Sequence, residues 1–187
     1  SYFPKLATTG TVTIEPLSTG FGMGVSSSWF QYNQNSQTMT GLTLGKAGNT
    51  ADINHEITAI SVAGPIEVYG GTIGVNADLT TTSGSGGDIS LYTDNNLGGL
   101  SSARTITADG AFKLIPNSAS FSTDISYPIT NLNVSSNGLT IGKIGNTRTI
   151  TMSNDLTISG SFQLLGDALV LDNNITCTNI ELSGTAT

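Results

Sequence analysis

Among the residues equipped for chemistry, His55 is the only histidine, in NHEIT beside Glu56. A zinc protease would need a second histidine four residues on, and none follows. Cys177 is the only cysteine, so neither an internal disulfide nor a thiolate zinc cluster can form. It follows Ile175 at strand spacing in ITCTNIEL, which predicts a small apolar side chain packed inside. Glu67 and Asp88 are placed to act as paired carboxylates for glycosidic cleavage. That chemistry also needs a cation beside them, and the six Lys and Arg show no cluster there in sequence. SGSGGD (Ser83 to Asp88) lacks the Lys-Ser/Thr ending and following helix of a phosphate cradle, and reads as a turn. TDNN (Thr93 to Asn96) and LDNN (Leu171 to Asn174) offer oxygens that suit Ca²⁺, but neither carries the nonapeptide repeat of calcium-binding β-rolls. Asp and Asn in such places serve turns. Thr-x-Thr in RTITAD and TRTITM would bind ice only if stacked in many successive strands, and it occurs in few. There is no GxSxG. The expectation is a chain with no catalytic, cofactor or metal residues.

Composition narrows the partners. Charged residues make up 10 % of the 187, against about 25 % in ordinary domains. The net charge of −7, with six Lys and Arg in all, leaves no basic patch for a nucleic acid. No run approaches the roughly 18 apolar residues of a membrane helix. The opening SYFPKLATTG carries neither an initiator Met nor a signal-like leader, and reads as a piece of something larger.

The elements holding these residues are strands. Apolar pairs alternate with polar residues throughout, as in Val12 and Ile14, Ile60 and Val62, Ile66 and Val68, or Phe162 and Leu164. No stretch has helical spacing over three turns. A phrase is also written twice: GLTLGKAGNT (Gly41 to Thr50) and GLTIGKIGNT (Gly138 to Thr147). ISVAGPIEVYGGTIGVNADLT (Ile60 to Thr80) aligns without a gap to LTISGSFQLLGDALVLDNNIT (Leu156 to Thr176), and TVTIEP to AFKLIP. His55 stands opposite Met152, and Glu67 opposite Gln163. Residues 1–187 thus form a single segment, with a first unit at 11–110 and an incomplete second at 111–187.

Inside each unit Leu42, Ile60 and Leu79 recur at about 19 residues with short strands between. This spacing predicts an all-β fold: a right-handed parallel β-helix of about 20 residues per coil and about nine coils. Aromatics gather early, in SSWFQY (Ser27 to Tyr32). A pair of antiparallel β-sandwiches is the alternative. TGTVTIEP, GLTLGKAGNTADI, ITAISVAGPIEVYGG and GGDISL together resemble the filamentous-haemagglutinin-type repeats of very large bacterial surface adhesins. The resemblance covers most of the chain and implies a β-helical shaft displayed outside the cell, without catalytic residues. It implies further repeats of the same parent chain, and surface glycans or another surface or secretion protein, as partners. The alternative function is a β-helix enzyme that degrades polysaccharides.

Overall fold

The computed structural model describes residues 5–6, 8–26, 31–32, 39–55, 59–82 and 86–186, and the backbone alone of 5–6, 31–32, 55 and 186. Ser27 to Phe30 of the aromatic cluster, Ser83 to Ser85 of the glycine-rich turn, and the His55 side chain with Glu56 lie outside the described residues.

Every described strand pairing is parallel, and no α-helix occurs among the described residues. Parallel neighbours require the chain to travel round and return between strands. This excludes the antiparallel sandwiches and is compatible with a β-helix or solenoid. The largest sheet contains 12 strands. Along its main face the register runs Val12, Leu42, Ile66, Ile89, Phe112, Leu139, Phe162, Ile180. The step between rungs is not constant. It is longest from Val12 to Leu42 and shortest from Phe162 to Ile180, where the bonded pair Gln163 and Glu181 are 18 apart in sequence. One rung earlier, Thr140 and Gln163 are 23 apart. At the corners, Asp155 and Asn174 are 19 apart, and Asp52 and Thr72 are 20 apart. The steps therefore vary from rung to rung, beside an expectation of about 20 residues per coil, because corner loops of different length separate strands that must still align.

The faces meet at bent strands. Arg104–Ile115 pairs first with Leu79–Thr81 and then with Ile89–Thr93, and its register against Leu132–Gly142 breaks between Ala108 and Ala111. Ser161–Leu171 bends likewise, with a register shift against Asn179–Ala186 between Leu165 and Ala168.

The alternating pattern faces apolar side chains inward. Ile66, Ile89, Phe112 and Phe162 are wholly buried in one row, and Leu91, Ile141 and Leu164 in the next. Seven alternating apolar residues of the first unit are all buried: Ile60, Val62, Ile66, Val68, Ile73, Val75 and Leu79. Of their counterparts, Phe162, Leu164 and Leu169 are buried, while Leu156, Ile158, Leu171 and Ile175 are half-buried against the core.

The repeated phrase has a shared construction at both sites. Asn49 and Asn146 are buried. The Asn49 amide accepts from Phe21 N (3.0 Å) in the preceding circuit and from Ala51 N (3.3 Å) in its own, and donates to Tyr69 O (2.7 Å) in the next. Asn146 accepts from Phe121 N (3.2 Å) and Arg148 N (3.4 Å) and donates to Leu165 O (3.3 Å). Each amide therefore ties three circuits together. Lys46 donates to Pro16 O (2.9 Å) and Lys143 to Pro116 O (3.0 Å), so the aligned prolines receive the same bond. Gly45 and Gly142, at φ +79° and +89°, pass so close to Tyr69 O and Leu165 O that a Cβ would collide. Of the two positions that differ, Leu44 and Ile141 are core residues, while Ala47 and Ile144 are exposed.

Candidate functional site

The outer surface of the main face brings together residues from separate circuits of the chain. Register places Thr43 beside Glu67, Glu67 beside Ser90, and Ser90 beside Lys113. Two residues along, Tyr69 lies beside Tyr92, and Tyr92 beside Ile115. The tyrosine rings stack in parallel, with centroids 4.2 Å apart and planes 2° from coplanar. Burial, then the neighbouring Tyr92 and the charges of Glu67 and Glu15, push the Tyr69 hydroxyl well above its ordinary value, so it stays a neutral donor.

Asp88 leads into the next rung, and its two oxygens have separate partners. One accepts from Ala111 N (2.7 Å), the other pairs with Lys113 Nζ at 2.5 Å. Burial alone would raise the Asp88 carboxyl. The Lys113 hydrogen bond, the Ala111 N–H and the Lys113 charge outweigh it and hold the carboxyl below the usual carboxylate value. The sequence shows no cluster of cations here, and the fold brings one, Lys113, to Asp88. Lys113 is 25 residues on, and one circuit brings it back to the carboxylate. Glu67, Asp88 and Lys113 thus share one outer face on three successive rungs. Further along, Thr140 Oγ1 donates to Gln163 Oε1 (2.9 Å), and Gln163 Nε2 to Glu181 Oε2 (2.6 Å), a polar ladder on the same face.

Asp88 also belongs to a wider pattern. Asp52, Asp78, Asp88, Asp94, Asp124 and Asp155 each accept a backbone N–H from the next circuit: Thr72, Thr105, Ala111, Ser118, Thr149 and Asn174, at 2.7 to 3.0 Å. A carboxylate at a corner satisfies an N–H that the sheet ladder leaves unpaired. The Asp/Asn stretches considered for Ca²⁺ are such corners. In TDNN, Thr93 Oγ1 donates to Gly71 O (2.7 Å), Asn95 Nδ2 donates to Gly71 O (3.1 Å), and Asp94 holds Ser118. In LDNN, Asn173 Nδ2 donates to Met152 O (2.8 Å), and Asn174 N bonds Asp155.

The remaining candidates do not converge. His55 contributes a backbone pairing with Val75. Cys177 is half-buried against the core as a free thiol. The described end of the glycine-rich turn has Thr81 Oγ1 donating to Gly87 O. Thr105 and Thr107 lie beside Asn133 and Ser135, and Thr151 beside Ser126 and Val170, so the two Thr-x-Thr stretches are on different faces and do not stack. Among the described residues, no group of three His, Cys, Asp or Glu side chains is arranged to hold a metal, and no helix is long and apolar enough to cross a membrane.

The sequence reading missed the tyrosine stack and the Asp88–Lys113 pair. The signal existed: Tyr69 and Tyr92 are one circuit apart on this face, the same interval that separates Thr140 from Gln163. Comparison with protein families, curated proteins and solved structures returns no match.

Proposed function

We propose that this chain is a non-catalytic segment of a right-handed β-helical shaft, with coils of about 20 residues where its corners are short. In this reading it belongs to a large adhesin of the bacterial cell surface, where it extends or presents binding regions for surfaces, cells or glycans. The observation that carries the reading is the pair of clamps at Asn49 and Asn146. The same three-circuit bond set is built twice, 97 residues apart (146 − 49), while the exposed position between them drifts from Ala47 to Ile144. A part selected for length and stiffness keeps what joins its circuits and lets its surface vary.

Further repeats of the same parent chain are the first partner. Ile180 and Leu182 are 55 % and 42 % exposed, although their register partners Phe162 and Leu164 are fully buried. Another coil laid on this row would bury it as the earlier rows are buried. The flat face with the Tyr69–Tyr92 stack suits shallow contact with glycans. Neither a nucleic acid nor insertion of this segment into a membrane is part of the proposal.

The Glu67, Asp88 and Lys113 grouping favours the second reading, a polysaccharide-degrading enzyme. Against it, both Asp88 oxygens are engaged and its carboxyl is held ionised, so it has no proton to give near neutral pH. The test uses the chain on beads against a panel of bacterial and host polysaccharides, comparing wild type with a triple variant (Glu67→Ala, Asp88→Asn, His55→Ala). The expected outcome is no new reducing ends from either protein, and attachment within a few-fold between them. Turnover of a defined glycan that vanishes in the triple variant would replace the shaft with the enzyme.

A further inference from the structure

The wall of the molecule is broken at one place on its second face. There Gly74 pairs with Gly98, and further along Ile125 pairs with Ile150 and Ile150 with Leu169, but no ladder joins the Gly98 rung to Ile125–Tyr127. The two rungs are pinned together on either side of the break. At one end Ser122 N bonds Asp94 O (2.7 Å) and Ser122 Oγ bonds Asn95 Oδ1 (2.7 Å). At the other, Asn131 Nδ2 bonds Leu100 O (2.8 Å). Between the pins the lower wall advances six residues (100 − 94) and the upper wall nine (131 − 122). The upper wall thus carries three more residues than the lower between the pins, and a cleft of about 400 Å³ is lined by both. Ligand pockets begin at roughly 300 Å³.

Both walls turn unpaired backbone toward this cleft. Ile125 N bonds Thr149 O (2.9 Å) and Tyr127 O accepts from Ser153 N (2.7 Å), so these two residues face the following rung. By strand alternation the N–H and C=O of Ser126 point the other way, into the break. Opposite, Gly98 N bonds Ile73 O and Gly98 O accepts from Val75 N, both at 2.9 Å, which commits Gly98 to the preceding rung. The carbonyl of Leu97 and the N–H of Gly99 then face Ser126 across the gap. These are the groups that would bond each other if the wall were closed. The floor is apolar, made by Leu97, Leu100, Leu114, Ile125 and Ile129. The one charged side chain in the lining, Asp124, already accepts from Thr149 N (3.0 Å).

We propose that this break is a binding site for a short extended peptide of small apolar residues, which enters as the missing rung. The peptide continues the parallel ladder on both sides, with its backbone bonded to Leu97 and Gly99 on one wall and Ser126 on the other. An alternate side chain fills the apolar floor. This is strand addition inside a wall rather than at an outer edge. The six-residue advance of the lower wall between the pins limits the inserted part to about five residues at the rise of a strand. An apolar small molecule would use the floor and leave both walls unpaired. Peptide binding here does not depend on the shaft reading.

The test is a titration of the ¹⁵N-labelled chain with acetyl-Ser-Val-Ala-Val-Ser-amide, alongside the same peptide methylated at its three central amide nitrogens. The expected result is saturable shifts at the amides of Leu97 to Leu100 and Asp124 to Thr130. The methylated peptide should bind at least about tenfold more weakly, roughly the value of one or two hydrogen bonds. Ser126→Pro removes the N–H that faces the cleft and should weaken binding to a similar degree, while the Thr151 amide, on the intact side of that strand, keeps its shift. Leu97→Asp, which puts a charge on the floor, should abolish binding and serves as a second variant if proline disturbs the strand. Equal affinity for the methylated peptide, shifts outside these two segments, or no saturable shifts would overturn the proposal.

Discussion

Replacing Asn49 with Ala tests the clamp that joins three circuits. The amide makes its two best bonds to backbone in the circuits on either side, with Phe21 N at 3.0 Å and Tyr69 O at 2.7 Å. Alanine removes both and leaves a donor and an acceptor facing a small dry cavity. Stranding a buried polar group costs about 1–3 kcal/mol. Phe21 and Tyr69 are only half-buried, so the lower part of that range applies to each, and the sum is about 3 kcal/mol. That is a large share of a typical stability of about 5–15 kcal/mol. Asn146→Ala should cost a similar amount, since its bonds to Phe121 N (3.2 Å) and Leu165 O (3.3 Å) are equivalent but slightly longer. Ile144→Ala, at a side chain 79 % exposed in the same phrase, should stay within about 0.5 kcal/mol of wild type.

The assay is urea denaturation followed by far-ultraviolet circular dichroism at neutral pH. Amide exchange of strand Ile66–Gly70 resolves a local opening if the melt has more than one step. Asn49→Asp adds a sharper readout. It keeps the acceptor for Phe21 N but sets an ionised oxygen against Tyr69 O, so burial and repulsion raise its folded pKa. The variant's stability is then greatest below the unfolded value near 3.9 and falls as pH rises through it. Two results would refute the clamp: both alanine variants melting like Ile144→Ala, or Asn49→Asp being more stable at neutral than at acid pH.

The remaining expectations can be checked with the same melts. Val68→Asp and Leu164→Asp each place an unpaired charge in the core, and should cost several kcal/mol and expose neighbouring circuits to exchange together. Asp88 contributes stability that is complete above the ordinary carboxylate range and is lost as pH falls through its lowered folded value. Lys113→Met should flatten that part of the pH profile. Because both side chains are about a third exposed, the change at neutral pH should be no more than about 1 kcal/mol.

What the sequence made legible was whatever alternation carries. Strand type, the inward rows from Ile60 to Leu79 and the duplicated unit all follow from period two and self-similarity, which need no knowledge of neighbours. What it hid was lateral adjacency. Lys113 meets Asp88, Tyr92 meets Tyr69, and Asn49 reaches both Phe21 and Tyr69 across circuits of unequal length. Those lengths are set by corner loops with no simple period, so the offset that joins Tyr69 to Tyr92 does not find every other partner. Asn49 was misleading for a further reason. An Asn after Gly reads as an exposed turn residue, and nothing in GKAGNT marks its amide as buried until the carbonyl of the next circuit is placed above it. The half-burial of Leu156, Ile158, Leu171 and Ile175 was equally invisible, since it depends on what stacks beyond them.

The acidity of the chain has its explanation in the same adjacency. A net charge of −7 on so few charged residues could mark a surface built for cationic partners. Yet six of the nine aspartates hold a backbone N–H of the next circuit. A corner that leaves the sheet ladder strands a donor, not a charge, and a short carboxylate reaches it without a cation. Of these six corner aspartates only Asp88 is also bonded to a lysine among the described residues. Lys46 and Lys143 fit the same rule from the other side, since each is spent on a stranded proline carbonyl of the preceding circuit. On this account the sign of the chain is a by-product of how its circuits are joined, and a partner is better sought at the uncharged features: the tyrosine stack, the open row at Ile180 and the break beside Ser126.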